Sequence, residues 1–110
     1  MLAISSSAKI FIYNHTMDLR RGFEGLGCVV EKVLCESLVG GNYFVFINKR
    51  RDRMKVLYWD IDGLVIWYKR LEKGTFARNM TKTQLIERRD FFMLLEGIVP
   101  KKIRKRFRFS

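Results

Sequence analysis

Apolar and polar positions alternate in ways that predict a strand, a helix and then three more strands. Residues 8–13 predict a first strand. Apolar spacings of three and four from Met17 to about Leu38 predict one long amphipathic helix. Thr16 is its predicted N-cap, and Asp18 falls in its predicted first turn, where an acid suits the helix dipole. The predicted apolar face comprises Leu19, Phe23, Leu26, Val30, Val33 and Leu34.

The central part of the chain predicts an antiparallel meander. Residues 43–47 are apolar at every position, which is typical of a central strand covered on both faces. Residues 53–59 and 64–69 predict two further strands. A tight turn joins them, and Gly63 is the position expected to have a positive φ.

The C-terminal part is less regular. Residues 75–77 suit a short strand, and residues 81–86 suit either a strand or a helix. Residues 88–96 predict a short helix, stopped by Gly97 and Pro100.

We therefore expect one α+β domain over residues 1–100, in which the meander and additional edge strands pack against the long helix. Residues 101–110 form a basic tail.

Length and composition narrow the class of protein. The chain has 110 residues, of which 48% are apolar, and this excludes a disordered chain, a collagen-like chain and a disulfide-stapled mini-protein. No apolar run approaches the ~20 residues that a membrane span requires. The first seven residues do not resemble a signal peptide. We expect a soluble cytoplasmic protein.

The net charge has the largest effect on the functional prediction. Lys and Arg number 22 and Asp and Glu 11, so the net charge is 22 − 11 = +11. Such a chain attracts polyanions, nucleic acid first and a membrane surface second.

Cys28 and Cys35 fit neither a disulfide nor a zinc site with the single His15, so we expect reduced, buried or half-buried thiols. No metal or cofactor is predicted, and His15 is expected to be structural.

A cluster of cations lies between two predicted strands, where a rigid ribbon could present it to phosphates or to a major groove. A solvated loop that keeps sheet edges apart explains the same pattern equally well. The tail adds six cations in eight residues without an acid. The predicted nucleic-acid-binding residues are Lys49, Arg50, Arg51, Arg53, Lys55, Lys69, Arg70, Lys101, Lys102, Arg104, Lys105, Arg106 and Arg108.

Asp60 and Asp62 place two carboxylates on one predicted turn. They could hold Mg²⁺ for phosphoryl chemistry, but aspartates are also ordinary turn residues. A nuclease usually needs a third carboxylate. Asp18 is available, although nothing in its spacing indicates that role. A metal-dependent nuclease is therefore the least favoured reading.

Four blocks of sequence also match a known family, in order and at the expected spacing. Residues 16–26, TMDLRRGFEGL, resemble its signature TDMRKGFDGL, and residues 43–64 resemble FVF followed by RRxDRxKxLxWDxDG. Residues 69–76 resemble KRLExGxF, and residues 94–98 resemble LLEGI. The family is the TnpB-type accessory protein, or second open reading frame, of bacterial insertion sequences of the sixty-six group. It is unrelated to the RNA-guided nuclease of the same name.

The resemblance spans about residues 8–98 and leaves out the tail. It implies an accessory role in transposition beside a separate transposase, without catalytic residues. It also implies a shared polar surface that includes Asp18, Arg20, Asp52, Asp60, Asp62 and Glu72. Asn48 and Arg51 depart from the family pattern, and Arg51 adds a cation where a glycine is common.

We expect a non-catalytic protein that binds DNA through the basic hairpin and tail. The alternative is an interaction module in which the cations, with an exposed Trp59 or Trp67, dock an acidic surface of the transposase.

Overall fold

The computed structural model describes residues 2–77 and 85–96, which form a five-stranded mixed sheet with two helices. The strands lie in the order β4-β3-β2-β1-β5. The elements are β1 (Ile10–Ile12), α1 (Phe23–Lys32), β2 (Tyr43–Ile47), β3 (Arg53–Asp60), β4 (Gly63–Arg70), β5 (Leu85–Ile86) and α2 (Arg88–Leu95). The α+β class, the meander β2-β3-β4 and the short helix α2 are confirmed. No helix in these ranges is long and apolar enough to cross a membrane.

Two further strands, β1 and β5, extend the meander beyond β2, in agreement with the predicted additional edge strands. β1 lies inside the sheet, where it pairs in parallel with β2 on one side and antiparallel with β5 on the other. A parallel pair needs a crossover connection, and α1 supplies it. Residues 75–77 form no strand, and of the ambiguous segment 81–86 only residues 85 and 86 are described, as β5.

Helix α1 is shorter than the predicted 17–38. Met17 instead extends along β2, and its N–H donates to the carbonyl of Ile47 at 3.0 Å. Asp18 closes a local turn, because its carboxylate accepts from the backbone N–H of Arg20 at 3.0 Å. Such bonds compete with helix formation. The N-cap residue is therefore Gly22 rather than Thr16, and the helix ends before Cys35, whose φ is +57°.

Two apolar clusters lie on opposite faces of the sheet. Leu26, Val29 and Val30 of α1 pack with Phe44 and Phe46 on one face. The other face carries the residues of β2 that alternate with these, together with α2 and the N-terminal segment. The prediction that β2 is covered on both faces is confirmed.

The predicted apolar face of α1 and the predicted thiol burial are partly wrong. Phe23 and Val33 are exposed, although Leu26 and Val30 are buried. Cys28 and Cys35 are free and exposed rather than buried. Because α1 is only 10 residues long, the apolar stripe that it packs on the sheet is shorter than that of a helix over residues 17–38.

The turn between β3 and β4 differs from the prediction at one residue. Asp60 pairs with Gly63, so Ile61 and Asp62 alone form the loop and Gly63 already belongs to β4. The positive φ, +48°, falls on Ile61, which is 92% exposed. A β-branched residue is strained there.

Replacing Ile61 by asparagine is therefore expected to raise the free energy of unfolding by about 1 kcal/mol, since asparagine tolerates this conformation. Urea unfolding would measure the change. Val39→Asn is the matched control, because Val39 is also exposed but has no positive φ. An Ile61→Asn protein no more stable than the native protein would contradict the prediction.

Candidate nucleic-acid interface

The connection between β2 and β3 is a closed loop that presents two cations to solvent. Asn48 organises it, because its side-chain oxygen accepts from the backbone N–H groups of Asp52 at 3.1 Å and Arg53 at 3.0 Å. The Asn48 amide in turn donates to the Asp52 carboxylate at 2.8 Å. This hydrogen bond is the main cause of the lowered pKa of Asp52, with smaller contributions from nearby arginines. Lys49 and Arg50 lie exposed on the loop.

Arg51 is directed into the protein. Its Nε donates to the carbonyl oxygen of Phe76 at 3.0 Å, and its Nη2 donates to that of Ala77 at 2.5 Å. The backbone joins the same contact, because the Phe76 N–H donates to the Arg51 carbonyl at 2.6 Å. Arg51 thus fastens the segment after β4 to the loop. Its assignment to the DNA-binding set has no support from this geometry.

Arg53 and Arg70 are direct cross-strand partners at one end of the β3-β4 ladder. Like charges placed opposite each other destabilise a sheet unless an anion lies between them. Two acids compensate part of the charge, because Arg70 forms an ion pair with Glu72 at 3.1 Å and the Asp52 carboxylate lies close enough to Arg53 to interact with its charge. Both arginines are exposed.

Lys55 extends this basic surface towards α1. It lies on the same face as Arg53, because side chains two residues apart in a strand share a face. Its Nζ donates to the carbonyl of Arg21 at 3.0 Å and lies 5.1 Å from the centre of the Tyr68 ring. The contact brings Arg21 and the N-terminus of α1, which carries positive partial charge, to this end of the sheet.

Sequence reasoning missed Arg21, which it placed on a helix face. The parallel pairing of β1 and β2 would have indicated the position of Arg21. A helix that connects two parallel strands begins near the end of the sheet where the first strand ends. We call the following group the basic end: Arg21, Lys49, Arg50, Arg53, Lys55 and Arg70.

Lys69 lies on the opposite face of the sheet from Arg70. Its Nζ donates to the carbonyl of Leu95, in the last turn of α2, at 2.6 Å. A cation there satisfies a carbonyl that the helix leaves unpaired. Lys69 therefore anchors α2 and lies on the face of the sheet opposite the basic end. The predicted tail cations, Lys101, Lys102, Arg104, Lys105, Arg106 and Arg108, lie outside the described residues.

The residues of the predicted shared polar surface do not form one surface but lie at several separate positions. Asp60 and Asp62 lie at the opposite end of β3 from Arg53, about 20–25 Å away for a strand of this length. Asp18 forms an ion pair with Arg20, in which an oxygen lies 2.7 Å from Nη2, and the hydrogen bonds from Arg20 hold the pKa of Asp18 well below its usual range. Asp52 and Glu72 accompany the basic end.

Groups that could hold a metal are sparse in the parts of the chain that are described. Within residues 2–77 and 85–96, no three His, Cys, Asp or Glu side chains gather at one point. Asp18 does not join Asp60 and Asp62. The exposed His15 ring packs edge-on against Tyr13, with centroids 5.4 Å apart.

Comparison with known proteins identifies the family. The profile described as "IS66 Orf2 like protein" matches residues 8–105. The chain belongs to the IS66 Orf2-like family. Its members are accessory proteins of insertion sequences, as the sequence blocks implied. The match reaches residue 105, so the expectation that the tail lies wholly outside the family region is wrong.

Two proteins of Sinorhizobium fredii are similar to this IS66 Orf2-like protein. "Uncharacterized protein y4jC" is 32% identical over 100 residues, which cover 89% of this chain and 86% of the relative. "Uncharacterized protein y4hO" is 33% identical over 77 residues, which cover 70% and 67%. No solved structure matches the chain.

Proposed function

We propose that this IS66 Orf2-like protein assists transposition by binding the phosphate backbone of DNA through its basic end, without catalysing a reaction. The observation that carries the proposal is the cross-strand pair of Arg53 and Arg70. Two guanidinium groups side by side on a rigid sheet repel each other in the free protein. A phosphate between them removes the repulsion and can accept bidentate hydrogen bonds.

The surroundings of this pair suit an extended polyanion better than a single small anion. Lys49 and Arg50 continue the positive surface on the loop, and Lys55 continues it towards α1. Cations spread along one edge can follow successive phosphates. Contacts of this kind fix the position of a protein on DNA but do not read sequence. We therefore propose sequence-independent binding as the basic activity, to which the tail adds affinity.

Catalysis by Asp60 and Asp62 fits this arrangement poorly. DNA held at the basic end would lie a full strand length away from the two carboxylates of the same chain. These residues have an ordinary structural role as the turn that closes the β3-β4 hairpin. The proposal accordingly leaves them out of DNA binding.

The test is the salt dependence of DNA binding, measured by fluorescence anisotropy with the terminal DNA of the element and a scrambled duplex. The double variant Arg53→Gln, Arg70→Gln should lower the slope of log K against log salt by about 1.8, from two lost phosphate contacts. The matched control, Lys9→Gln with Lys32→Gln, removes the same charge. Lys9 lies beside Tyr43, at the other end of β2, and Lys32 ends α1.

An unchanged slope in the control together with a reduced slope in the arginine variant supports the proposal. Equal effects in both variants would show that net charge alone drives binding. If neither variant altered DNA binding, the cations would be better explained by docking to an acidic surface of the transposase. A pull-down with and without nuclease would test that partner directly. Trp59 and Trp67 are half-buried rather than exposed, which weakens their part in such docking.

A further inference from the structure

Strand β4 forms one edge of the sheet and is eight residues long. Within the described ranges, β3 is the only strand that pairs with it. Long edge strands with apolar side chains are sites of strand pairing between molecules, and proteins commonly shorten, twist or charge them to prevent it. The interior of β4 is Leu64-Val65-Ile66-Trp67-Tyr68, which contains no charge, proline or glycine.

The backbone groups of β4 that face outward can be assigned from the hydrogen bonds of the hairpin. The N–H of Leu71 donates to the carbonyl of Asp52 at 2.7 Å. In an antiparallel ladder, every second residue bonds across to its partner strand and the residues between them point away. Residues 65, 67 and 69 therefore bond to β3. The backbone groups of Leu64, Ile66, Tyr68 and Arg70 therefore face outward at the edge, where no strand of residues 2–77 or 85–96 pairs with them.

The charges of β4 are arranged so that the strand is complementary to itself when it is reversed. Asp62 precedes the strand and Arg70 ends it, and both are exposed. An antiparallel pair of β4 strands centred on Ile66 places Leu64 opposite Tyr68. The same register places Asp62 opposite Arg70 at both ends. All these residues are even-numbered, so their outward backbone groups meet in the required pairs.

We propose that two copies of this chain pair through β4 in this register to form a symmetric dimer with a continuous ten-stranded sheet. Pairing of this kind is an isologous contact, in which the same strand serves both partners. The two-fold axis is perpendicular to the sheet at Ile66, so α1 and the Arg53-Arg70 pair of each copy lie on the same face of the assembly. The dimer places Asp62 of the second copy beside Arg70, which the DNA-binding proposal also uses, so dimerisation is tested in the absence of DNA.

Amide hydrogen exchange, followed by NMR without DNA, tests the dimer within a single strand. The N–H groups of Val65, Trp67 and Lys69 should be protected at every protein concentration, because they bond to β3. Those of Leu64, Ile66 and Tyr68 should exchange fast when dilute and become protected as concentration rises through the micromolar range. Sedimentation equilibrium should show a dimer over the same range. A monomer throughout, or protection of the second group that does not vary with concentration, would overturn the proposal.

A charge exchange tests the register. Asp62→Arg or Arg70→Asp alone places like charges together at both ends of the interface, and each should weaken dimerisation about tenfold or more. The double variant restores both pairs with the signs reversed and should recover the native dimerisation constant. Circular dichroism would confirm that each variant is folded. If the double variant is weakened as much as the product of the two single changes, the register is wrong.

Discussion

Replacing Phe76 by alanine is expected to lower the free energy of unfolding by about 3–5 kcal/mol, as is typical when a buried aromatic ring is removed. Phe76 is 1% exposed, although it lies in a connection outside any strand or helix. It packs in the cluster that contains Phe91 and Met54. The ring therefore joins the segment after β4 to the core beneath the sheet. Urea unfolding of the variant would measure the effect.

Phe23→Ala provides the matched control, because this phenylalanine is 49% exposed and the same atoms are removed. Its cost should stay within about 1 kcal/mol. Phe76→Leu, with an expected cost of about 1–2 kcal/mol, keeps the comparison possible if the alanine variant does not fold. Equal costs for the two alanine variants would mean that the Phe76 segment does not belong to the core.

The elements that could be predicted from sequence are those whose pattern is local. β2 is apolar at every position because it is covered on both faces, and α2 has a short apolar stripe with clear limits. The length of α1 could not be read in this way, because Met17 and Leu19 are buried without being helical. Periodicity shows that a residue is buried, but a bend in the chain can bury residues at similar spacings.

The residues of the candidate site likewise differ in whether a local sequence pattern predicts their position. The cross-strand pair of Arg53 and Arg70 follows from arithmetic on the sequence once the hairpin closes at Asp60 and Gly63, because the paired numbers have a constant sum. Alternation alone places Lys69 on the other face from Arg70. The partners of Arg51 lie 25 and 26 residues away along the chain, and no local pattern indicates them.

Arg51 therefore provides the strongest contrast between a structural and a binding cation. Replacing it by methionine keeps an apolar stem but removes the guanidinium that holds two carbonyl groups. We expect the free energy of unfolding to fall by about 2–3 kcal/mol, because each lost bond involves a charged donor and leaves a half-buried acceptor unpaired. Urea unfolding measures this loss. Arg50→Met, at the exposed neighbouring position, should change the stability by no more than about 0.5 kcal/mol.

For DNA binding by the folded variants, we expect Arg50→Met to have the larger effect and Arg51→Met the smaller one. Arg50→Met should lower the slope of log K against log salt by about 0.9, the value for one phosphate contact, and Arg51→Met should leave the slope unchanged. If Arg51→Met reduced the slope and left stability intact, the contacts to Phe76 and Ala77 would not hold in solution. The two neighbouring arginines would then act together on DNA, as the sequence alone had indicated. The contrast tests the fold and the proposed interface together, because Arg50 is exposed on the loop that Asn48 organises, whereas Arg51 bonds to the segment after β4.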